Sequence, residues 1–273
     1  MHVYIQTDIE GIAGFTFFEN RNDPSLENVH HRLRMRRLLT AEVNAAVKAA
    51  FDSGAESVYV NDNHGSGYNI LFERLDPRCE IIHGRNCSGP HWLPCLDAGI
   101  DALILVGMHA MGGTPNALVS HSVWDVNRGA LFMSEASMAA AIAGEHGIPT
   151  VFVSGDDKVC DELKTRIPGI ETAVVKKGLG AYQARSLIPK AACALIADNV
   201  RKGLARRADL SPFVIPGPVE LNLLDSPGHI PPFQPVLTEP VRAETLEAAF
   251  MALEKAMPWT HFHTELPDGF IYP

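Results

Sequence analysis

Long apolar runs, long basic runs and a secretory leader pattern are all missing from this chain. No apolar run approaches the roughly 18 residues that a membrane-spanning helix needs, so we expect no membrane partner. The formal net charge is −9 and the few basic clusters are short, which argues against a nucleic-acid partner. Because Met1–Ile5 is already strand-like, the start of the chain leaves no room for the charged and apolar regions of a signal peptide.

Cysteine patterns that mark disulfides or structural zinc are missing as well. The five cysteines are odd in number, and none of them forms a C-x-x-C pair. The equal steps from Cys79 to Cys87 and from Cys87 to Cys95 match no zinc-site spacing. We therefore expect reduced thiols and a cytoplasmic location.

A dinucleotide-binding motif is missing after the first apolar run. That run is followed by T-D-I-E-G, whereas a dinucleotide-binding unit has G-x-G-x-x-G at this point. We therefore expect no dinucleotide cofactor.

The chain does have an alternation of strand-like and helix-like segments. Its 273 residues are 46% hydrophobic and 20% charged, which suits one large domain, or a domain with a smaller lobe. Short apolar runs that end at turn signals predict strands at the run from Val3, Ser57–Val60, Glu80–His83, Ala102–Val106, Thr150–Ser154 and Glu171–Val175. Longer patterns predict helices at about Asn28 to Asp52, Ser134–Gly144, Pro189–Arg207 and Ala243–Met257.

This alternation predicts an α/β fold with three layers and a mostly parallel, Rossmann-like sheet. We expect a metal-binding α/β domain over residues 1–175. The pattern of residues 176–273 differs, because their predicted strands carry no acids at their ends. This pattern predicts a smaller C-terminal α+β lobe.

Carboxylates and imidazoles stand directly after several of the predicted strands. Asp8 and Glu10 follow the first, His64 the second and His109 the clearest buried strand, and Glu135 begins a helix after a loop. Ligands collect beyond the carboxyl ends of the strands in open α/β sheets. If these strands are parallel neighbours, the five side chains meet at one edge and form a ligand set suited to zinc.

The charges of this set favour two zinc ions over one. Two Zn²⁺ ions carry four positive charges, which three carboxylates and one bridging hydroxide would cancel. A single ion would leave the cluster negative in a low-dielectric pocket. Two metals about 3.5–4 Å apart form a hydrolytic site that activates water and polarises a carbonyl.

Plainer interpretations of these residues stay open. Asp8 and Glu10 also fit a solvated turn, and a single histidine is more often structural than a metal ligand. The stretch Gly155-Asp156-Asp157, in G-D-D-K, fits a helix N-cap, a support for a ligand or a catalytic group, and we favour the cap.

Five motifs, taken in order along the chain, carry a resemblance to a known family. They are T-D-I-E-G-I-A-G, V-N-D-N-H, L-V-G-M-H-A, V-S-H-S and S-E-A. As a set, they resemble the zinc-dependent D-aminopeptidases of the bacterial dipeptide-transport operon, along nearly the whole chain. The resemblance implies a two-zinc centre on the five residues named above, and hydrolysis of short peptides or amides with an N-terminal D-residue.

The same resemblance implies two further properties. His121, in V-S-H-S, would be a catalytic histidine that is not a metal ligand, and the chain would form a homodecamer. The segments Arg85–Cys95 and Gly178–Gln183 depart from the family pattern and are candidates for lining the substrate pocket.

His121 also has interpretations that do not depend on the resemblance. It sits in a long loop between Ser120 and Ser122, and the ligand set is complete without it, whereas a proton carrier near neutral pH is missing. A histidine that only pins its loop through one of the two serines is the alternative.

Two other functions fit parts of the sequence. D-I-E-G is close to the D-x-D-G of haloacid-dehalogenase-like magnesium phosphatases, and Gly155–Asp161 is similar to their distal acidic motif. That assignment would leave His64 and His109 without a role. A non-catalytic metal-binding or peptide-binding module is the other alternative, in which His121 is structural.

Overall fold

The computed structural model describes residues 1–17, 23–65, 67–84, 92–226 and 231–257 as two sheets with helices around them. The strands are β1 His2–Thr7, β2 Ser57–Asp62, β3 Glu80–Ile82, β4 Ala102–Met108, β5 Val123–Val126, β6 Leu131–Met133, β7 Thr150–Asp156, β8 Glu171–Gly180, β9 Gln183–Ser186, β10 Val219–Asp225, β11 Gln234–Pro235 and β12 Val241–Ala243. The α-helices are α1 Leu26–Asp52, α2 Glu135–Glu145, α3 Asp157–Arg166, α4 Pro189–Ala205 and α5 Leu246–Ala256.

The larger sheet has seven strands in the order β3-β2-β1-β4-β7-β8-β9. All neighbouring pairs are parallel except β8 with β9, which form an antiparallel edge. The predicted α/β fold with a mostly parallel sheet is therefore confirmed.

Alternate side chains of the central strands point into two separate cores. On β4, Leu103 and Leu105 pack with residues of α2 and α3, whereas Ile104 and Val106 pack with α1 and α4. Because successive residues of a strand point to opposite faces, a strand buried on both faces reads as an unbroken apolar run. This is why β4 was the clearest strand in the sequence.

The smaller sheet is antiparallel and has the order β11-β10-β5-β6, with β12 also paired to β10. The hairpin of β5 and β6 lies where no strand was predicted, between the His121 loop and α2. Its strands have only 4 and 3 residues, too few for a clear alternation. Its turn uses Asn127 and Arg128 at φ of 57° and 52°, followed by Gly129.

The larger sheet continues past the predicted domain boundary at residue 175. β8 spans that residue, β9 pairs with β8, and α4 packs against α1. The division into residues 1–175 and 176–273 stays a prediction. None of the helices within the described ranges is long and apolar enough to cross a bilayer.

Candidate metal centre

The carboxyl ends of three neighbouring strands meet at one edge of the larger sheet. β1 lies between β2 and β4 and is parallel to both. Asp8 directly follows β1, His64 lies just beyond β2, and His109 directly follows β4. The topology therefore brings these three side chains to the same place, although they are far apart in sequence.

Two glycines let the loop after β1 lie directly against the end of β4. The Asp8 amide donates to the Val106 carbonyl at 2.9 Å, and the Gly11 amide donates to the Gly107 carbonyl at 2.7 Å. A Cβ on Gly11 would lie 1.9 Å from the Met108 carbonyl oxygen. A Cβ on Gly107, whose φ is +76°, would lie 2.2 Å from the Asp8 carbonyl oxygen. Larger residues here would push the acidic loop away from His109.

The five predicted ligands form one continuous cluster with Asp8 at its middle. His64 Nδ1 lies 3.1 Å from Asp8 Oδ1 and 2.9 Å from Glu10 Oε2. The other Asp8 oxygen, Oδ2, lies 3.5 Å from His109 Nε2, which is 3.7 Å from Glu135 Oε1. The structure thus brings all five side chains together, and Asp8 faces both halves of the cluster.

The possible ligand atoms fall into two groups of three, each with its atoms within 4.8 Å of one another. The groups are Asp8, Glu10 and His64, and His109, His121 and Glu135. The second group includes His121, which the sequence resemblance assigned to catalysis rather than to metal binding. By position alone, His121 can serve either role.

Backbone carbonyls fix which nitrogen of two imidazoles carries the proton. His109 Nδ1 donates to the Ala110 carbonyl at 2.8 Å, and His121 Nδ1 donates to the Val119 carbonyl at 2.9 Å. A carbonyl oxygen only accepts, so in the neutral form of each ring, the form that can bind a metal ion, the lone pair is on Nε2. Both Nε2 atoms lie on the side of Glu135, at 3.7 and 4.0 Å from its Oε1.

Three buried atoms of the cluster have no hydrogen-bond partner among the described residues. They are Asp8 Oδ2, Glu10 Oε2 and His109 Nε2, of which Asp8 Oδ2 and His109 Nε2 lie 3.5 Å apart. Leaving these atoms unsatisfied in the interior is costly. Two ligand atoms on one tetrahedral zinc ion lie roughly 3.3–3.5 Å apart, given metal–ligand bonds of about 2.0–2.2 Å. The donor types and this spacing fit a shared metal ion.

Burial and the close contacts between charged groups shift the pKa values of the cluster. Burial would lower the pKa of His109, but its contacts with Glu135 and Asp8 raise the pKa to about 10. Burial and the negative charge of Asp8 raise the pKa of Glu10. Burial, followed by the positive charge of His109, lowers the pKa of His121. The carboxylates therefore attract cations, whereas His121 favours its neutral form.

Two buried charged residues that were not predicted from the sequence bind the backbone of the loop that follows β1 and carries Asp8 and Glu10. Lys176, at the end of the apolar part of β8, is 1% exposed, and its ammonium donates to the carbonyls of Glu10 and Phe15. Glu42, on the buried face of α1, accepts from the Ala13 amide at 2.9 Å. A charged residue inside an otherwise apolar stripe was the available signal, because such residues are rarely buried without a partner.

Asp156 bonds to the backbone next to His109, and Ser122 bonds to Glu135; His109 and Glu135 are two of the candidate ligands. Asp156 accepts from the amides of Lys158 and Val159 at 2.8 and 3.0 Å, so the predicted N-cap of α3 is confirmed. Its second oxygen accepts from the Ala110 amide at 3.0 Å, next to His109. The Ser122 hydroxyl donates to Glu135 Oε1 at 2.7 Å. Such outer contacts fix the orientation of metal-binding side chains.

His121 lies on a strained loop and is stacked on His109. Val119 and Ser122, on either side, have φ of 44° and 57°, which non-glycine residues rarely adopt. The two imidazole rings are 4.0 Å apart at 11°. The Ser122 hydroxyl donates to Glu135, and His121 bonds its own loop through the Val119 carbonyl, so a loop-pinning role stays open beside a catalytic one.

A cavity of about 470 Å³ opens beside the cluster. Its described lining residues are Gln6, Thr7, Asp8, Asn63, His64, Gly65, Trp92, Met108, His121, Ser122, Trp124, Glu135, Leu223, Asp225, Phe250 and Glu254. Residues 178–183 are not among them. Of the segment Arg85–Cys95, residues 85–91 lie outside the described residues, and Trp92 does line the cavity.

The fold and the cluster together define a class: an α/β protein with a hydrolase-type, metal-competent site at the strand ends of its parallel sheet. Comparison with known sequences then gives the family. A family model described as D-aminopeptidase matches residues 1–226, so this chain belongs to the D-aminopeptidase family of peptidases. The resemblance carried by the sequence motifs is thereby confirmed, and the chain is a peptide hydrolase rather than a magnesium phosphatase.

Two comparisons with individual proteins agree with this assignment. A D-aminopeptidase of Bacillus subtilis (strain 168) is 28% identical over 222 residues, which cover 79% of this chain and 78% of that protein. A solved structure described as the Zn-dependent D-aminopeptidase DppA from Bacillus subtilis, a self-compartmentalizing protease, superposes with a TM-score of 0.81. It covers 98% of this chain and 99% of its own at 24% identity, and it shows a shared fold.

Proposed function

We propose that this chain is a two-zinc aminopeptidase that acts on short peptides or aminoacyl amides with an N-terminal D-residue. The observation that carries the proposal is the pair of ligand groups that adjoin at Asp8, where the buried atoms Asp8 Oδ2 and His109 Nε2 face each other without a hydrogen bond. Membership of the D-aminopeptidase family supports the peptide substrate. The names of the two Bacillus relatives support the D-preference and the choice of zinc.

In this proposal, five residues hold the metal: Asp8, Glu10, His64, His109 and Glu135. Asp8 is the member shared by both halves, because its two oxygens face His64 and His109 respectively. When bound, zinc supplies Lewis acidity, which polarises a carbonyl and makes water nucleophilic near neutral pH. Ser122 and the Ala110 carbonyl keep Glu135 and His109 turned toward the site.

His121 is the residue that we propose to move a proton or to attack the carbonyl. Its Nδ1 donates to the Val119 carbonyl, which leaves the lone pair of the neutral ring on Nε2, and burial lowers the pKa of His121 and so favours that neutral ring. A neutral imidazole at the wall of the cavity can accept a proton from an attacking group and return it to the leaving amine. The other five acids and imidazoles of the cluster are enough to hold the metal, so we assign the proton transfer or the attack on the carbonyl to His121.

We also propose a homo-oligomer, specifically a decamer, and a cytoplasmic location. The solved relative is described as self-compartmentalizing. In this chain, the β8–β9 hairpin and the residue before α4 expose apolar side chains: Leu179 is 56%, Tyr182 60% and Ile188 75% exposed. Such patches are typical of subunit contacts. Free thiols at the four described cysteines support a reducing compartment.

The test is hydrolysis of matched D- and L-alanyl amides by the purified chain, before and after metal removal. We expect faster cleavage of the D-form, loss of activity with a chelator and recovery on adding zinc. Equal or reversed stereochemical preference would contradict the D-specificity. Activity that survives complete metal removal would contradict the metallopeptidase mechanism.

A further inference from the structure

Helix α5 forms part of the cavity wall together with aromatic residues, and it carries a carboxylate into the cavity. Phe250 and Glu254 of this helix are one turn apart and therefore lie on the same face, and both line the cavity. The helix lies beyond residues 1–226, which the family model matches. The family model therefore does not cover the part of this wall that helix α5 forms.

Helix α5 is held firmly enough to fix the position of Glu254. Its first amides, at Leu246 and Glu247, donate to the carboxylate of Glu145 at 2.6 and 2.9 Å. Thr245 caps the same end by accepting from an amide of the first turn. Leu246 and Leu253 are 0% exposed and anchor the helix in the core.

Glu254 is a partly buried carboxylate at the cavity wall, without a hydrogen-bond or ion-pair partner among the residues the structure describes. The ring of Phe250, one turn earlier, packs against Trp92 and Trp124, with ring centres 5.2 and 5.1 Å apart. Burial, followed by the negative charge of Glu135, raises the pKa of Glu254 to about 7. A partly buried carboxylate in this position is stabilised by a cation that enters the cavity.

The other acid of the cavity wall is already engaged. Asp225, at the end of β10, accepts from the Ser226 amide at 2.7 Å. The carboxylates of the metal centre face imidazoles or one another. Glu254 is therefore the acid of this cavity best placed to receive a positive charge from the substrate.

We propose that Glu254 binds the protonated α-amino group of the peptide substrate, while Trp92, Trp124 and Phe250 pack around its first side chain. This inference rests on the proposed aminopeptidase function. An enzyme that removes one residue must hold the free amino group at a fixed distance from the bond that breaks. A single carboxylate in the cavity wall, outside the metal centre, provides that reference point and disfavours substrates whose amino group is blocked.

The test compares steady-state kinetics of the zinc-loaded enzyme on D-alanyl-p-nitroanilide and on its N-acetylated form. Glu254→Gln keeps the shape of the side chain and removes the charge. We expect KM for the free-amine substrate to rise about 10- to 100-fold, with kcat changed less than about threefold, because one charge-assisted hydrogen bond is lost. Kinetics on the acetylated substrate and the zinc content should not change.

Two further variants sharpen the result. Glu254→Asp keeps the charge on a shorter side chain and should recover part of the lost affinity. Glu247→Gln removes a carboxylate from the same helix outside the cavity, and it should behave like the wild type on both substrates.

Three outcomes would overturn the inference. Unchanged KM in Glu254→Gln, in an enzyme that cleaves the free-amine substrate, would refute the role of Glu254 and leave the proposed function intact. A KM increase in Asp225→Asn but not in Glu254→Gln would move the amine site to the other acid. A wild-type enzyme that cleaves neither substrate would refute the proposed function, and this inference with it.

Discussion

Two sides of the same cavity are built in different ways. The metal side consists of loops that leave adjacent parallel strands, where acids and imidazoles contact one another and glycines allow the backbones to touch. The other side combines aromatic rings with helix α5, which is attached through a capping carboxylate and an apolar face. Because the two sides are held by separate contacts, we expect metal binding and catalysis to be separable from substrate affinity.

The largest effect is expected from Asp8, where both halves of the metal side meet. Asp8→Asn should lose zinc from the whole cluster and lower kcat/KM by at least about 10³-fold, because several kcal/mol of transition-state stabilisation disappear. Elemental analysis and kinetics on the same sample measure both effects. Asp161→Asn, at an exposed position of α3, is the matched control and should be normal. Retained zinc with normal turnover would show that Asp8 is not the shared ligand.

The next effect concerns catalysis without metal binding. His121→Ala should keep the zinc content and the assembly but lose at least about 10²-fold in kcat, the usual range for general acid–base groups. Loss of a zinc ion in this variant would make His121 a ligand of the second group. Turnover close to that of the wild type would make it structural.

A smaller effect is expected from Gly107, where the end of β4 lies directly against the backbone of Asp8. Gly107→Ala should destabilise the fold by about 1–3 kcal/mol, because alanine is strained at this φ and its Cβ meets the Asp8 carbonyl oxygen. Denaturant unfolding of the metal-free protein measures this directly. Gly54→Ala, at φ +89° but with open space around its Cβ, serves as the comparison and should cost less. Equal losses would mean that the contact with Asp8 contributes nothing.

The smallest effect is expected from Glu145, which attaches helix α5 on the aromatic side of the cavity. Glu145→Ala removes the carboxylate that accepts from the first amides of α5, and losing a cap costs about 1 kcal/mol. We expect KM to rise a few-fold through displacement of Phe250 and Glu254, with zinc content unchanged. Lys255→Ala, at an exposed position of the same helix, should leave KM unchanged. Zinc loss in Glu145→Ala would show that the two sides are coupled.

The metal side could be anticipated from sequence because its residues stand at strand ends. Asp8, His64 and His109 each follow a recognisable apolar run, and a parallel sheet brings such positions together whatever the intervening lengths. Glu135 was found through the helix that it begins. Asp8, His64 and His109 come together because β1 lies between β2 and β4 in the sheet.

The contacts of the buried Lys176, the short strands β5 and β6, and the cavity wall formed by helix α5 could not be predicted in this way. Lys176 bonds carbonyls 161 and 166 positions earlier in the chain, and no local pattern encodes such a contact. The short strands β5 and β6 lack a detectable period. Helix α5 was predicted at Ala243–Met257, close to its observed range, but nothing in its sequence indicates that Phe250 and Glu254 face the metal centre.

The two-zinc centre is tested by the zinc content of the wild-type chain after mild purification and equilibrium dialysis against zinc. We expect close to two zinc ions per chain, because the two ligand groups adjoin at Asp8 and three carboxylates balance two ions better than one. Glu10→Gln, which keeps the shape of the loop but removes one charge, should retain fewer ions than the wild type in the same dialysis. A wild-type value of one ion or fewer under zinc-replete conditions would contradict the two-ion centre.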